Sequence, residues 1–272
     1  MISVISAVKG RIDLTKKSFE SIWKKCSDPK NIEHIVSFDC HDRQMAAHLK
    51  EYSEYCFSNN FQARISKVCF CANMDQYKNR NMHRDYWNPL ANSARGDVVF
   101  GLCNDFVIQT QDYDTIMEKS LESACRKYKH DIFQIIIDDD YFDIREKLNE
   151  TKYCAPIILS KAALEVFNGI APIEYSSQGA DVFTANVFAG THINSTIDLI
   201  EKIKIKQFSI QRGNYPKDNV QTERPTLDIS RPGHEHRMDI LFGKKYYHSL
   251  INSLIFKKYL THDKKRHNNE KN

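Results

Sequence analysis

Apolar runs alternate with amphipathic stretches along the first half of the chain, and each kind of segment predicts its own element. The run Ile2–Val8 is short and continuous, which is typical of a buried strand. The stretch from Leu14 to Cys26 carries Phe19, Ile22 and Trp23 at i, i+3 and i+4, the spacing of an apolar stripe on a helix. We therefore expect a strand and then a helix at the start of the chain.

The same alternation continues through the first half of the chain. Asp13 could accept hydrogen bonds from the first turn of the first helix, so it is predicted to cap that helix. Further strands are predicted at His34–Phe38, Arg64–Phe70, Val98–Leu102 and Ile132–Ile137, and further helices at Arg43–Tyr52 and Tyr113–Tyr128. Strands that alternate with helices predict an α/β fold, with a mostly parallel central sheet and flanking helices on both faces.

The second half of the chain is less regular. We predict a strand at Ala155–Leu159, helices at Ser160–Phe167, Asp181–Phe188 and Tyr246–Tyr259, an extended stretch from Ile203 to Ile210, and a long polar loop over 211–236. The domain organisation that follows is one α/β domain over 1–190 and a less regular C-terminal extension over 191–260 that packs on it. The polar tail over 261–272 is expected to be disordered.

Composition narrows the class of protein. A net charge of +4 on 272 residues is a small excess, so no nucleic-acid partner is expected. The eight cysteines show no paired zinc-site spacing, and no apolar run reaches the ~18 residues of a membrane span. These features predict a cytoplasmic protein with reduced thiols. The basic run Lys264–Arg266 in the tail is expected to be solvated, and a weak peripheral contact with an anionic membrane surface is the alternative.

The segment Ala94–Asp105, ARGDVVFGLCND, combines a polar turn, a buried strand and an acid at the carboxyl end of that strand. Open α/β sheets bind their ligands at this end of the strands. A hard divalent cation, Mn²⁺ or Mg²⁺, held by Asp105 could neutralise a diphosphate as it departs. Asn104 could add a carbonyl oxygen or contact a ribose.

This segment resembles the A-x-G-D, hydrophobic strand, D-x-D sequence of family-2 glycosyltransferases, which have the GT-A fold. Met1–Ser21 is similar to the first strand, polar loop and helix of that family, and HIVSFDCHD, which contains Asp39, is similar to its second strand with terminal acids. APIILSKAALEVFNG resembles its acceptor-side strand and helix, and SSQGADVFTANVF resembles the segment that ends in its catalytic acid. The resemblance covers roughly residues 1 to 190.

The resemblance implies a Rossmann-like nucleotide-sugar half over 1–110 and an acceptor half over 111–190. It also implies a metal-assisted transferase that moves a sugar from a nucleotide-diphosphate-sugar donor to an acceptor hydroxyl, with inversion. Donor contacts are expected from Ala7, Val8, Arg11, Asp39 and Asn104, metal binding from Asp105, and deprotonation of the acceptor from Asp181. The acceptor, whether a glycan, a lipid-linked molecule or a protein, is left open.

Alternatives stay open at four places. Cys103 stands where the family has the first acid of its pair, and a thiol suits Mg²⁺ or Mn²⁺ poorly, so a weak or metal-independent site is the alternative. His234 and His236 could reach a metal or diphosphate from a closing loop, or they could be exposed loop histidines. The run Asp138–Asp140 is interpreted as a solvated turn rather than a rival metal motif. Asp42 could contact the nucleotide or simply cap the next helix.

Two other functions are compatible with the sequence. A nucleotidyltransferase also binds a nucleotide at a metal-bearing strand end, but it usually has a glycine-rich basic loop after the first strand. Lys9-Gly10-Arg11 is sparse for such a loop. A non-catalytic nucleotide-sugar or nucleic-acid binding module would show affinity without turnover.

Overall fold

The computed structural model describes residues 1–68, 83–140, 154–171, 180–189, 191, 194–208 and 249–255. The strands β1 to β9 are Ile2–Val8, Ile32–Asp39, Gln62–Val68, Val98–Gly101, Phe106–Ile108, Gln134–Ile136, Ile158–Ser160, Thr196–Asp198 and Ile205–Gln207. Seven of these strands form one sheet in the order β3-β2-β1-β4-β7-β6-β8, and β5 pairs with β9 in a second, two-stranded sheet. The predicted α/β class is confirmed.

The large sheet is mostly parallel, as predicted. β1 pairs in parallel with β2 and with β4, β2 pairs in parallel with β3, and β6 pairs in parallel with β8. β7 runs antiparallel to both of its neighbours, β4 and β6. Because two reversals restore the direction, β6 points the same way as β4. The carboxyl ends of β1, β2, β3, β4 and β6 therefore lie at one edge of the sheet, where the ligand of such a fold binds.

Helices cover both faces of the sheet. The helices α1 to α6 are Ile12–Lys25, Arg43–Ser58, Asn88–Ser93, Tyr113–Tyr128, Ala180–Ala189 and 249–255. A π-helical turn leads into α3 from His83, and a 3₁₀ helix, Lys161–Val166, follows β7. Val4 and Phe100 pack with residues of α1, α2 and α4, whereas Ile5 and Val99 pack with residues of α3, α5 and α6. Alternate residues of one strand thus belong to opposite core layers. Among the described helices, none is long and apolar enough to cross a membrane.

A buried carboxylate holds the opposite, amino-terminal edge of the sheet together. Glu33, fully buried at the start of β2, accepts hydrogen bonds from Ser3 and from Arg95 and Arg64, whose nitrogens lie 3.0 and 2.9 Å from its Oε2. Burial acts to raise the pKa of Glu33, but the hydrogen bonds from Ser3 and Arg95 and the charge of Arg64 outweigh it and hold the pKa below its ordinary value. Gly96 donates to Ser3 Oγ at 2.7 Å, and a Cβ on Gly96 would meet Ser3 N at 2.6 Å.

The N-terminal cap of α1 differs from the prediction, and that of α2 decides an alternative that the sequence left open. The prediction that Asp13 caps α1 is wrong: the N-cap is Arg11, in a left-handed conformation with φ 53°, and it makes no side-chain capping bond. Asp13 lies exposed in the first turn instead. Asp42 does cap the next helix, because its Oδ1 accepts from Met45 N at 2.9 Å. Local composition identified the second cap but not the first, whose geometry depends on a neighbouring loop.

Some elements are longer than predicted, and others were not predicted at all. The first strand and the helix at Tyr113–Tyr128 have the predicted bounds, but α2 continues past Tyr52 to Ser58. The short strands β5 and β8 were not predicted, and neither was α3 within a polar, aromatic stretch. The helix predicted over Tyr246–Tyr259 is present where it is described, over 249–255. The predicted polar loop over 211–236 and the tail over 261–272 lie outside the described residues.

Candidate functional site

Three loops meet at the carboxyl edge of the sheet, and hydrogen bonds tie them together. The loop after β1 passes through Gly10 and Arg11, both with positive φ, 58° and 53°. Gly10 N donates to Asp42 Oδ2 in the loop after β2 at 2.8 Å. Asn104 Nδ2, in the loop after β4, lies 3.4 Å from Gly10 O and 3.0 Å from Thr15 Oγ1. Asp42 and Asn104 therefore fix the path of the first loop, in addition to any contact that they make with a ligand.

An ion pair lies at the centre of this arrangement. Arg11 Nη1 is 3.4 Å from Asp105 Oδ2, and the two side chains are only 3% and 15% exposed. The backbone oxygen of Asp105 also accepts from Phe208 N at 2.8 Å, next to the two-stranded β5–β9 sheet. A buried arginine is rare unless it is paired, so the fold has built a place for this positive charge. No signal in the sequence would have joined these two residues, which lie 94 positions apart.

Asp39 ends β2 at the same edge and is almost fully buried. Its Oδ1 accepts from the backbone nitrogen of His41 at 3.0 Å, which turns the chain toward α2. The ligand atoms of Asp39, Cys40 and His41 lie within 4.8 Å of one another, a grouping that could hold a metal ion. A carboxylate, a thiol and an imidazole suit a borderline ion such as Zn²⁺ better than Mg²⁺.

Asp181 lies at the start of α5. It occupies the first turn of that helix and lines a small pocket against β6 and β7. Gln134, Cys154 and Thr184 line the same pocket. Thr184 is buried, and its hydroxyl has no hydrogen-bond partner in the described part of the chain. The helix predicted over Asp181–Phe188 is present as Ala180–Ala189, while the catalytic role of Asp181 stays a prediction.

Comparison with solved structures identifies the fold. S. aureus TarS 1–349 matches with a TM-score of 0.52 at 14% identity, covering 76% of this chain and 60% of that one. The mannosyltransferase PcManGT from Pyrobaculum calidifontis, in complex with GDP-Man and Mn²⁺, matches with 0.57 at 10%, covering 81% and 59%. GalNAc-T7 with UDP, GalNAc and Mn²⁺ matches with 0.56 at 12%, covering 89% and 48%. All three are GT-A-type glycosyltransferases. This chain has the GT-A fold.

The likeness is structural alone. No protein-family model matches the sequence, and no curated protein matches it. The chain spans 48 to 60% of the length of these neighbours. TarS is also known in complex with UDP and with UDP-GlcNAc.

Two of these GT-A neighbours contain Mn²⁺, so the fit of a divalent ion to Asp105 matters. Asp105 offers one carboxylate, and Cys103, partly buried, offers a thiol where the family has its first acid. An ion bound to Asp105 at about 2 Å would lie within about 6 Å of the Arg11 guanidinium, at a repulsive cost on the order of a few kcal/mol. One carboxylate beside a guanidinium is a weak site for a divalent ion, which would need further oxygen ligands from a diphosphate or from water.

A series of buried hydrogen bonds supports the end of β4, the strand that precedes Asp105. Trp23 Nε1 donates to Tyr52 OH at 2.7 Å, and Tyr52 OH lies 2.7 Å from His34 Nδ1. His34 Nε2 lies 3.1 Å from Ser6 Oγ, which donates to Leu102 O at 2.8 Å. Ser6 donates its hydroxyl proton to Leu102 O, and Tyr52 donates its hydroxyl proton to His34 Nδ1. The ring proton of His34 is therefore assigned to Nε2, which donates to Ser6 Oγ. Complete burial lowers the pKa of His34 to about 3, so the ring is neutral.

The acidic run after β6 has a different role from the one expected. The interpretation as a solvated turn is wrong for Asp139, which is fully buried and accepts from Ala155 N at 2.7 Å. Asp138 and Asp140 lie 3.4 and 3.9 Å from Lys204 Nζ. The run thus joins β6 to the chain before β7 and to β9. His234 and His236 lie outside the described residues.

Proposed function

We propose that this chain is a glycosyltransferase that moves a sugar from a nucleoside-diphosphate-sugar donor onto an acceptor hydroxyl. The observation that carries the proposal is the set of three interlocked loops at the carboxyl edge of β1, β2 and β4, in a chain with the GT-A fold. Ligands of open α/β sheets bind in this place. Neighbours of the same fold are known with UDP, UDP-GlcNAc and GDP-Man, so uridine and guanosine diphosphates are the first donors to test.

The donor-site roles follow from position. Ala7 and Val8 end β1 and would form the floor of the site, since Val8 is buried and Ala7 is half-buried. Asp39, which ends β2 at the carboxyl edge of the sheet, would accept hydrogen bonds from the base or ribose. Asn104 would act through the first loop, which its amide holds.

Asp181 is proposed as the general base. Its carboxylate would take the proton of the acceptor hydroxyl as that oxygen forms its bond to the anomeric carbon. The bond from the anomeric carbon to the diphosphate would break on the opposite face, and the nucleoside diphosphate would leave with the electron pair. Attack and departure on opposite faces invert the anomeric configuration. The support for this role is the resemblance of SSQGADVFTANVF to the segment that ends in the catalytic acid of family-2 glycosyltransferases.

The sequence resemblance adds Mn²⁺ or Mg²⁺ at Asp105 to this proposal, and two neighbours contain Mn²⁺. A divalent ion in such a site supplies charge to the departing diphosphate. Asp105 is the described residue that would hold such an ion.

Thermal denaturation with a panel of nucleotides tests the function. UDP, GDP, UDP-GlcNAc or GDP-Man should raise the melting temperature, because a ligand that binds only the folded state stabilises it. Transfer should then release a nucleoside diphosphate in proportion to the acceptor consumed. Release of pyrophosphate from UTP or GTP would indicate a nucleotidyltransferase instead. Binding without turnover across a broad acceptor panel would indicate a binding module.

A further inference from the structure

The two-stranded sheet begins beside Asp105. β5 starts at Phe106, the next residue, and pairs in antiparallel register with β9, so that Phe106 faces Gln207. The pairing continues one residue beyond the assigned strands, because Phe208 N donates to the backbone oxygen of Asp105 at 2.8 Å. Phe208 therefore faces Asp105 across the pair of chains, although the two residues lie far apart in the sequence.

The core holds the two-stranded sheet from one side. Phe106, Ile108 and Ile205 are almost fully buried and belong to the core layer that contains residues of α1. Ile108 N also donates to Ser21 Oγ of α1 at 3.0 Å. Lys206, which follows Ile205, is exposed, as expected from the alternation of side chains along a strand. One face of the two-stranded sheet is thus fixed on α1, and the other is turned away from the core.

Phe208 lies on the face that is turned away from the core. The ammonium nitrogen of Lys206 is 5.3 Å from the centre of the Phe208 ring, so these two side chains share a face. Facing residues of an antiparallel pair also share a face, with Cβ atoms about 4.5–5.5 Å apart. The ring is half-buried, which leaves part of its surface in contact with solvent. The register thereby places an apolar ring next to Asp105.

The sugar is the part of the donor whose chemistry matches such a ring. If the nucleoside lies near Asp39 and the diphosphate near Asp105, the sugar follows the diphosphate and comes next to the position of Phe208. A pyranose carries hydroxyl groups around its edge and C–H groups on its faces. The C–H groups carry a partial positive charge and pack on the negatively polarised face of an aromatic ring.

We propose that the Phe208 ring forms one wall of the donor-sugar subsite and packs against the C–H face of the transferred sugar. This inference rests on the proposed function, since it concerns the donor site of a glycosyltransferase. Phe208 is then a specificity-determining residue: it distinguishes a nucleoside diphosphate that carries a sugar from one that does not.

Calorimetry with the full chain in MnCl₂ tests the proposal, because a nucleotide without a sugar lacks the group that Phe208 contacts. Affinities are measured for UDP and UDP-GlcNAc and for GDP and GDP-Man, and the pair that binds the native chain more tightly is used for the variants. Phe208→Ala should weaken binding of the sugar nucleotide about ten-fold and change binding of the nucleoside diphosphate by less than about two-fold. Phe57→Ala removes the same ring from α2, where it is 85% exposed, and both affinities should stay native.

Two milder variants separate the aromatic face from apolar bulk. Phe208→Tyr keeps the face and should bind both ligands as the native chain does, whereas Phe208→Leu should lose affinity for the sugar nucleotide alone. If Phe208→Ala does not fold, Phe208→Leu decides the proposal.

The results that overturn the inference differ from those that overturn the proposed function. Equal losses for the nucleoside diphosphate and the sugar nucleotide, or no loss for either, overturn the inference and leave the proposed function standing. A raised KM for the acceptor with native donor affinity does the same and would assign the ring to the acceptor. Failure of the native chain to bind any of the four ligands overturns the proposed function and the inference with it.

Discussion

Replacement of Tyr52 by phenylalanine should destabilise the chain far more than loss of one hydroxyl suggests. Tyr52 is 6% exposed, and its hydroxyl is the shared partner of Trp23 Nε1 and His34 Nδ1, each at 2.7 Å. Phenylalanine keeps the ring but leaves both nitrogens buried without that partner. A buried polar group without a partner costs about 1–3 kcal/mol, so the two together should cost about 4 kcal/mol.

The loss is measurable because native domains are stable by only about 5–15 kcal/mol. At about 2–4 °C per kcal/mol for a chain of this size, the melting temperature should fall by about 8–16 °C. Urea unfolding followed by circular dichroism gives the free energy of unfolding directly. Tyr55→Phe is the matched control: it removes the same hydroxyl from the same helix at a position that is 43% exposed, and it should cost less than about 0.5 kcal/mol. A loss below about 1 kcal/mol for Tyr52→Phe would refute the shared-partner argument.

Three further predictions concern pH and the site. Burial lowers the pKa of His34 to about 3 and that of His83 to about 4, below the ordinary 6.5, so the unfolded chain binds their protons first. The contribution of the two neutral histidines to the free energy of unfolding should therefore be fully present above pH 6.5. It should fall as the pH drops toward 4, by about 2 kcal/mol per histidine at pH 5. Equal free energies of unfolding in urea at pH 7.5 and pH 5 would contradict this. Asp181→Asn should keep nucleotide binding and melting temperature but slow transfer by about a hundred-fold or more in a product assay, and full activity would remove its assigned role. Asp39→Asn, which can still accept from His41 N, should weaken donor binding by about ten-fold in calorimetry while the melting temperature of the free protein holds; unchanged affinity would count against a donor contact.

The sequence predicted those parts of the fold whose signal is local and repeated. The first strand and the helix Tyr113–Tyr128 were located to the residue, because an apolar run and a helical stripe each repeat over several positions. β5 and β8 have three residues each and form by pairing with partner strands, so no local sequence pattern predicts them. The start of α1 was misplaced for a related reason, since bonds from Asp42 and Asn104 set the geometry of its first turn.

The location of the candidate site was predictable from the sequence. Asp39, Asn104 and Asp105 follow apolar strands, and the topology of an α/β sheet brings the ends of such strands to one edge. The chemistry between these residues was not predictable. Periodicity does not distinguish a carboxylate that faces solvent from one that meets a guanidinium, as at Asp105, or a backbone nitrogen, as at Asp139. Pairings between residues that are distant in the chain are decided by tertiary packing.

The segment ARGDVVFGLCND has two ends with separate duties, because β4 carries it from one edge of the sheet to the other. Arg95 and Gly96 close the amino-terminal edge over Glu33 and Ser3, whereas Asn104 and Asp105 face the three-loop cluster. Under the proposed function, a change at the first end would act through the amount of folded protein in the cell, and a change at the second end through turnover per folded molecule. A related chain that keeps only the first end would therefore retain the scaffold without the proposed donor site.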